Sequence, residues 1–543
     1  MPYQGALQES VLKLEETRQR RLGQEIPILT LSEKEELIRN FHPDYRSGGK
    51  RELALGVNAG NLAPNELCDI LEGKSLIDPD GVDFTAVKHS VDVLVVGGGG
   101  GGATAAYFAH QHGAKVLLAT KLRFGDSNTI MAEGGINACV SPGDSPIRYY
   151  IDTMGGGGFT NVPEIVKTLA MDSPRILKWL ESLGVPFDKE PDGSVPKATF
   201  RLGGGHSRPR VHSVGDYTGM AIMHTLRDEI QNKGIEVLEF SPVIELLLDK
   251  EGKCTGALLM DIETQKPFII KAKTTILATG GLGRLHLHKF PTTNHYGATA
   301  DGIVVGYRAG ARLAYIDAVQ FHPTGTAYPE QLIGLLVSEG LRGRGGHLVN
   351  VHGERFINEL ETRDTVAAAI IREVTLKKNG VLTPTGMSGV WLDVPVIDIV
   401  KGQGTITRFL KHLHHRFMQY DIDIAKEPIL VYPAQHYQNG GFLSDDKGHS
   451  SVENLYVVGE VAGGVHGRNR LGGNSLIDIF VFGRRAGINA AETSSQIEFG
   501  DITLDHVRSF NQEIIAKGLD RGIRSPLLLP DYRYEKALPQ IHQ

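Results

Sequence analysis

Short apolar runs that end in glycine recur along this chain, and they predict the strands of a buried sheet. From Val91 the residues VDVLVVGGGGGGATAAYFAHQHGAKVLLATK pass from an apolar run through a glycine loop and an alanine-rich helical stretch to a second apolar run, the pattern of a βαβ unit. Residues 274–281 (TTILATGG) and 454–460 (NLYVVGE) predict two more strands of the same sheet, returning after a long insertion. Ahead of this body, residues 8–21 form a charged amphipathic stretch. A second helix is expected from Ser32, where Ser32 and Glu35 stand at capping-box spacing. Residues 42–83 are rich in turn formers and poorly periodic. After Gly483, RRAGINAAETSS predicts a helix, and the tail beyond it is too short for another core.

The expected fold is α/β: a Rossmann-like domain with an inserted α+β capping domain, an N-terminal extension and a short C-terminal tail. The divisions fall at residues 1–88 for the extension, which packs as an arm on the body or docks a partner, 89–283 for the first part of the nucleotide domain, and 284–426 for the capping domain. Residues 427–492 form its second part and 493–543 a helical tail. With 543 residues, 41% of them hydrophobic, the chain has apolar material for two or three packed units. A formal charge of -6 and a pI near 6.4 give no field that would gather nucleic acid or anionic lipid, so neither is an expected partner. The three cysteines, Cys68, Cys139 and Cys254, are widely spaced, which leaves no disulfide framework, iron–sulfur cluster or metal site in view and predicts buried structural thiols. The N-terminus has charges of both signs and no apolar core of a signal peptide, and no run reaches the ~18 apolar residues of a membrane span. A cytoplasmic protein without direct membrane insertion is expected.

Sixty-six glycines cluster in bursts, and one burst carries chemistry. Gly97-x-Gly99-x-x-Gly102, followed by Ala103, comes after a strand and opens a helix. The first glycine permits the turn, the second admits a pyrophosphate to the backbone, and the third lets helix and strand approach. The helix N-terminus then offers free N–H groups and a positive dipole end to the phosphates. Thr120 and Lys121 stand where an NAD enzyme keeps an acidic ribose ligand, which favours FAD over NAD.

Five further stretches stand in order: SNTIMAEGGINA from Ser127, GGHSRPRVHSVGDYTG from Gly204, QFHPTG from Gln320 with SEGLRGRGG from Ser338 and ETRD from Glu361, PAQHYQNGG from Pro433, and GGVHGRNRLGGNSL from Gly463. Between about residues 91 and 491 the chain thereby resembles the flavoprotein subunits of succinate dehydrogenase and fumarate reductase, with L-aspartate oxidase and soluble fumarate reductases as relatives. A dicarboxylate substrate needs cationic and hydrogen-bonding groups at both ends, and arginine can hold a carboxylate as a fork. The resemblance implies that His436 and Arg470 hold one carboxylate, and that His322, Ser338 and the Glu339 region hold the other. It implies Arg363 as the proton donor opposite the flavin, with Glu339 and Arg342 as its relay. It also implies FAD contacts at Ser127, Asn128, Thr129, Gly134, Gly135, Ala278, Thr279, Gly280, Asp301, Glu460, Ser475 and Leu476, beside the glycine loop and Thr120 and Lys121.

Three departures from the family pattern stand out. Asn128 replaces the histidine that carries covalent flavin in membrane-bound relatives, so the flavin is expected to be non-covalent and fumarate reduction favoured over succinate oxidation. Arg468 adds a charge two residues before Arg470; facing a partner, pairing with an acid and accommodating another substrate are all open. The short tail puts the usual docking of an iron–sulfur subunit in doubt, yet electrons must come from outside, and a separate iron–sulfur or other redox subunit is the expected source. The competing functions are L-aspartate oxidase, a reductase of another enoate dicarboxylate, and an electron-relay subunit.

Overall fold

A computed structural model of the chain describes residues 3–189, 193, 205–530 and 532. Gly204, which opens one of the motifs, and residues 533–543 of the tail lie outside the described residues.

Strand Val87–Val96 sits near the middle of a seven-stranded sheet. Val116–Ala119 and then Glu236–Leu238 lie on one side of it, both parallel. Strand Pro267–Leu277 lies on the other, also parallel. The far edge of that strand is divided. Its first half pairs antiparallel with Cys254–Met260, itself paired with Val243–Leu248, and its last residues pair parallel with Leu455–Val457. The two apolar runs foreseen at 274–281 and 454–460 are therefore neighbours in one sheet, as expected.

Alternation along Val87–Val96 explains how the sheet holds two cores. Val93 and Val95 point into one, with the helices Gly100–Gln111, Thr218–Asn232 and Asn474–Ser494. Leu94 and Val96 point into the other, with helix Asp301–Arg308 and the tail helix Asp505–Ala516. Helices Gly100–Gln111 and Asn474–Ser494 lie close because Gly487 faces the main chain of Ala105, where a Cβ would collide.

The inserted segment builds a separate antiparallel sheet in the order Val319–Thr326, Ile429–Gln438, Ser388–Asp393, His347–Val349. Strand Ile429–Gln438 lies in the middle of it, so this sheet continues past residue 426. The division expected at 426 falls just before a strand whose partners are remote in sequence.

The N-terminal extension is packed against both parts. Tyr3, Leu7, Val11 and Leu14 enter the core of the insert beside Trp391, whose indole donates to Ser10 Oγ at 2.9 Å. Arg21 is buried and paired with Asp393 at 2.7 Å. Further on, Leu53, Leu67 and Leu71 join the second core of the nucleotide domain, and Lys74–Ser75 pairs with Arg524–Ser525 of the tail. The second helix runs over Leu31–Phe41 with Thr30 as its cap, not Ser32. Thr30 Oγ1 accepts from Glu33 N–H, and the Glu33 carboxylate accepts from Thr30 N–H at 2.8 Å, so the box is closed two residues earlier than its spacing at Ser32 suggests. All three cysteines are buried and free.

If the arm belongs to the core of the insert, Leu14→Ala should cost about 2–5 kcal/mol of local stability. The change is expected as a lower thermal midpoint with earlier proteolysis between residues 23 and 30, and an unchanged cleavage pattern would show the arm to be independent.

Candidate active site

The glycine loop follows the C-terminal end of strand Val87–Val96, and its backbone leaves little choice of residue. Gly97 has φ +122°, and a Cβ there would strike the Ala278 carbonyl. At Gly98 a Cβ would come within 2.7 Å of Thr120 Oγ1, and at Gly102 it would run into the Gly97 carbonyl. Gly97 to Gly101 line one wall of a cleft. Gly102 and Ala103 do not line it: both are buried in helix Gly100–Gln111, where Gly102 serves the close approach of helix to loop and Ala103 the core. The helix N-terminus borders the cleft, its first N–H, from Gly100, donating to Thr129 Oγ1 at 3.1 Å.

Thr120 and Lys121 border the same cleft. Lys121 is neutralised from the start of helix Asp301–Arg308, lying 3.0 Å from Asp301 and donating to Thr299 Oγ1 at 2.7 Å. Ser127, Gly134, Gly135, Ala278, Thr279, Gly280, Ser475 and Leu476 also line the cleft. Asn128 is fully engaged: its amide nitrogen donates to Asn294 Oδ1 at 2.7 Å and Glu460 Oε2 at 3.3 Å, and its oxygen accepts from His295 N–H at 2.6 Å. Burial pushes the Glu460 carboxyl upward, offset by hydrogen bonds from Gln438 N–H and Asn128. Glu133, between Met131 and Gly135 on the same wall, is also buried, and burial with nearby Asp216 pushes its carboxyl well above the carboxylate range.

At the opposite end, two strand irregularities aim the histidines. Gln320 pairs with Tyr437 and Phe321 with Gln435, which leaves His436 as an extra residue bulged from its strand. A second shift between His322 and Gly325 does the same beside His322. The rings of His322 and His436 lie 5.0 Å apart on the cleft. Burial comes first in holding both well below the ordinary imidazole range. For His322 the Arg363, Arg342 and Arg470 charges follow; for His436, His322, Arg363 and Arg470. Because Thr324 N–H donates to His322 Nδ1 at 3.2 Å, the neutral ring carries its proton on Nε2 and can donate it.

Arg363 opens helix Arg363–Ile371, and its Nε donates to Glu339 Oε2 at 2.8 Å. Arg470 stacks over the Tyr437 ring at 4.4 Å. One oxygen, Gln320 Oε1, accepts from both guanidiniums, from Arg363 Nη1 at 3.1 Å and from Arg470 Nη2 at 3.1 Å. Burial, and then the facing Arg363, disfavour the charge on Arg470, a cost that a bound anion relieves. Ser338 caps the short helix Glu339–Gly343 by accepting from Gly340 N–H at 3.3 Å, so its own proton remains available. Arg342 is not on the cleft. It lies behind Glu339, 3.9 Å from Oε2, its Nη1 bound to the Glu359 carbonyl.

The cleft thus gathers the expected residues at both ends, with Gly102, Ala103 and Arg342 behind its walls. Gln320, Asn294 and Thr293, which donates to or accepts from His436 Nδ1 at 2.7 Å, were given no role in advance. Gln320 had a trace in the sequence as a polar residue in the otherwise apolar start of its strand. Arg468, left open above, pairs with Asp317.

A dinucleotide-binding sheet joined to a basic, histidine-lined cleft defines an FAD-dependent oxidoreductase. Residues 92–476 match the FAD binding domain family, and the chain belongs to it, within the group of fumarate reductase and succinate dehydrogenase flavoprotein subunits. It is 39% identical over 436 residues to a subunit of the fumarate reductase (CoM/CoB) of Methanothermobacter marburgensis, covering 78% of this chain and 76% of that protein. It is 35% identical over 422 residues to the L-aspartate oxidase of Streptomyces coelicolor, covering 75% and 70%. The FrdA chain of E. coli quinol fumarate reductase superposes with a TM-score of 0.69 at 31% identity, covering 79% of this chain and 74% of that one.

Because both histidines are already neutral in the folded cleft, no imidazolium charge is lost as pH rises. Binding of malonate, followed by titration calorimetry, should therefore stay level between about pH 6 and 8, whereas an ordinary imidazolium would weaken it across that window.

Proposed function

We propose that the chain is the flavoprotein subunit of a fumarate reductase, reducing fumarate to succinate, with succinate oxidation as the reverse. The observation that carries this reading is the pair Arg363 and Arg470, held on one neutral oxygen of Gln320 and facing two neutral histidines, a receptor for two carboxylates. Arg470 and His436 grip one carboxylate. His322, through Nε2–H, and Ser338, through its free hydroxyl proton, grip the other, beside the Glu339 backbone. The alkene between them is thereby held still, which removes much of the entropic cost of reaching the reactive geometry.

The glycine wall, the helix N-terminus and the acids Glu460 and Asp301 fit FAD: a Cβ on Gly97 or Gly98 would block the loop, and the cleft runs on from the loop to His322 and His436. Bound FAD supplies the hydride of the reaction. Arg363 delivers the proton to the neighbouring carbon and stabilises the negative charge that develops there. Glu339, bonded to Arg363 Nε, then returns a proton, and Arg342 behind it connects Glu339 outward. Asn128 has no basic nitrogen with which to attach the flavin, and its amide is already committed to Asn294 and Glu460, which supports non-covalent FAD. A separate iron–sulfur or other redox subunit would supply the electrons. We place the protein in the cytoplasm; among the described residues, no helix is long and apolar enough to cross a membrane.

L-Aspartate oxidase is the second reading, supported by the relative from Streptomyces coelicolor. Adding fumarate to the anaerobically reduced protein separates the two: reoxidation of the flavin band is expected, and aspartate-dependent oxygen consumption without fumarate turnover would refute the reductase. Arg363→Ala should lower fumarate turnover by about 10²–10⁴-fold while FAD content stays whole. Acid precipitation should leave all flavin in the supernatant, and yellow colour retained in the pellet would mean a covalent bond.

A further inference from the structure

Arg468 stands in the turn that carries Arg470, and three separate groups fix it. Its side chain forms a forked pair with Asp317, Nη1 to Oδ2 at 2.9 Å and Nη2 to Oδ1 at 3.1 Å. Its carbonyl accepts from Asn439 Nδ2 at 2.8 Å, and its N–H donates to Thr160 Oγ1 at 2.9 Å. Asp317 lies just before strand Val319–Thr326, which bears Gln320 and His322. The N-terminal arm reaches the same point: Lys50 lies 3.2 Å from Asp44 and 3.6 Å from Asp317, and the Asp44 carboxylate accepts from Val319 N–H at 3.3 Å.

From these contacts we infer that Arg468 and Asp317 form a clasp that sets the separation of the two substrate grips, with Lys50 and Asp44 of the arm fastening it from behind. The inference rests on the reading of the cleft as a dicarboxylate site. On one side of the clasp is the turn of Arg470; on the other is the strand of Gln320 and His322. Gln320 Nε2 donates to Asn469 Oδ1 and to the Arg470 carbonyl, both at 2.8 Å, so a shift of the turn moves Gln320 Oε1 and both guanidiniums that share it. Arg468 does not line the cleft and touches no candidate reacting group; it is a positioning residue. An exposed ion pair alone is a weak anchor, but here the pair is bidentate, Asp317 is nearly buried with its side chain 11% exposed, and the main chain of Arg468 is tied at both ends. The arm, which lies outside the matched residues 92–476, thereby becomes part of how this chain builds its site.

The test compares Arg468→Met, Arg468→Lys and Asp317→Asn in the full, FAD-loaded chain. Arg468→Met and Asp317→Asn should each raise KM for fumarate about tenfold with kcat changed less than about twofold, at unaltered FAD content and thermal midpoint. Arg468→Lys should recover part of the loss. An unchanged KM in both of the first two variants would overturn the inference, and so would an equal fall of kcat in all three. Crystal structures of the parent and of Arg468→Met give a readout free of the substrate: the Arg470 to Gln320 hydrogen bond should open in the variant, and its persistence would overturn the clasp. If the parent protein itself does not turn over fumarate, the functional reading fails, and the crystallographic comparison still decides the clasp. Should Arg468→Met fail to fold, Asp317→Asn serves for both measurements.

Discussion

The organising constraint in this molecule is the gathering of three guanidiniums, with Arg342 and Arg470 buried and Arg363 half-buried, where Glu339 is the carboxylate that pairs with two of them. Removing a charge from water costs several kcal/mol even after relaxation, and like charges add to it. Glu339 offsets the cost for Arg363 and, more distantly, for Arg342. Arg470 is left with neutral partners: the Tyr437 ring, the Ser475 hydroxyl and the shared Gln320 oxygen. A neutral acceptor can hold two cations in register without cancelling either, so excess positive charge remains in the free protein. On the function proposed above, that defect is what a bound diacid would satisfy.

The surrounding fold serves that defect. Strands Val319–Thr326 and Ile429–Gln438 turn His322 and His436 inward through bulges rather than loops, so the donors are held by a sheet. Gly97 and Gly98 let the other side of the cleft approach a large cofactor by backbone alone, and Gly102 lets the helix come up behind that loop. Neutral imidazoles suit this environment, since a fourth or fifth cation there would raise the desolvation cost.

What could be read in the amino-acid order was what is local. The run from Val91, the glycine loop and the apolar strand ends are short-range patterns, and the sheet follows them closely. The site residues were legible only because they stand inside recognisable motifs. Gln320, Asn294 and the Arg468–Asp317 pair were not, because their partners lie more than a hundred residues away and no periodicity records such contacts. For the same reason the sheet of the insert runs across residue 426, and the cap at Thr30 was missed for Ser32: two hydroxyls two residues apart both have a glutamate at the right spacing, and only the backbone angle at Thr30 selects between them.

The arm shows how a segment outside the family match can still act on the site. Its first half fills the core of the insert with Leu7, Val11 and Leu14, and its second half fills the nucleotide domain with Leu53 and Leu67. Between the two, Asp44 and Lys50 meet the start of the strand that carries Gln320 and His322. A connection made at both ends and in the middle resists relative displacement of the two bodies far more than any one of its contacts could, since each contact shortens the free length of chain over which the others can relax. The charged cleft lies between those bodies, and its repulsion tends to part them. An arm bound to both opposes that tendency with buried apolar area, a force that salt does not screen.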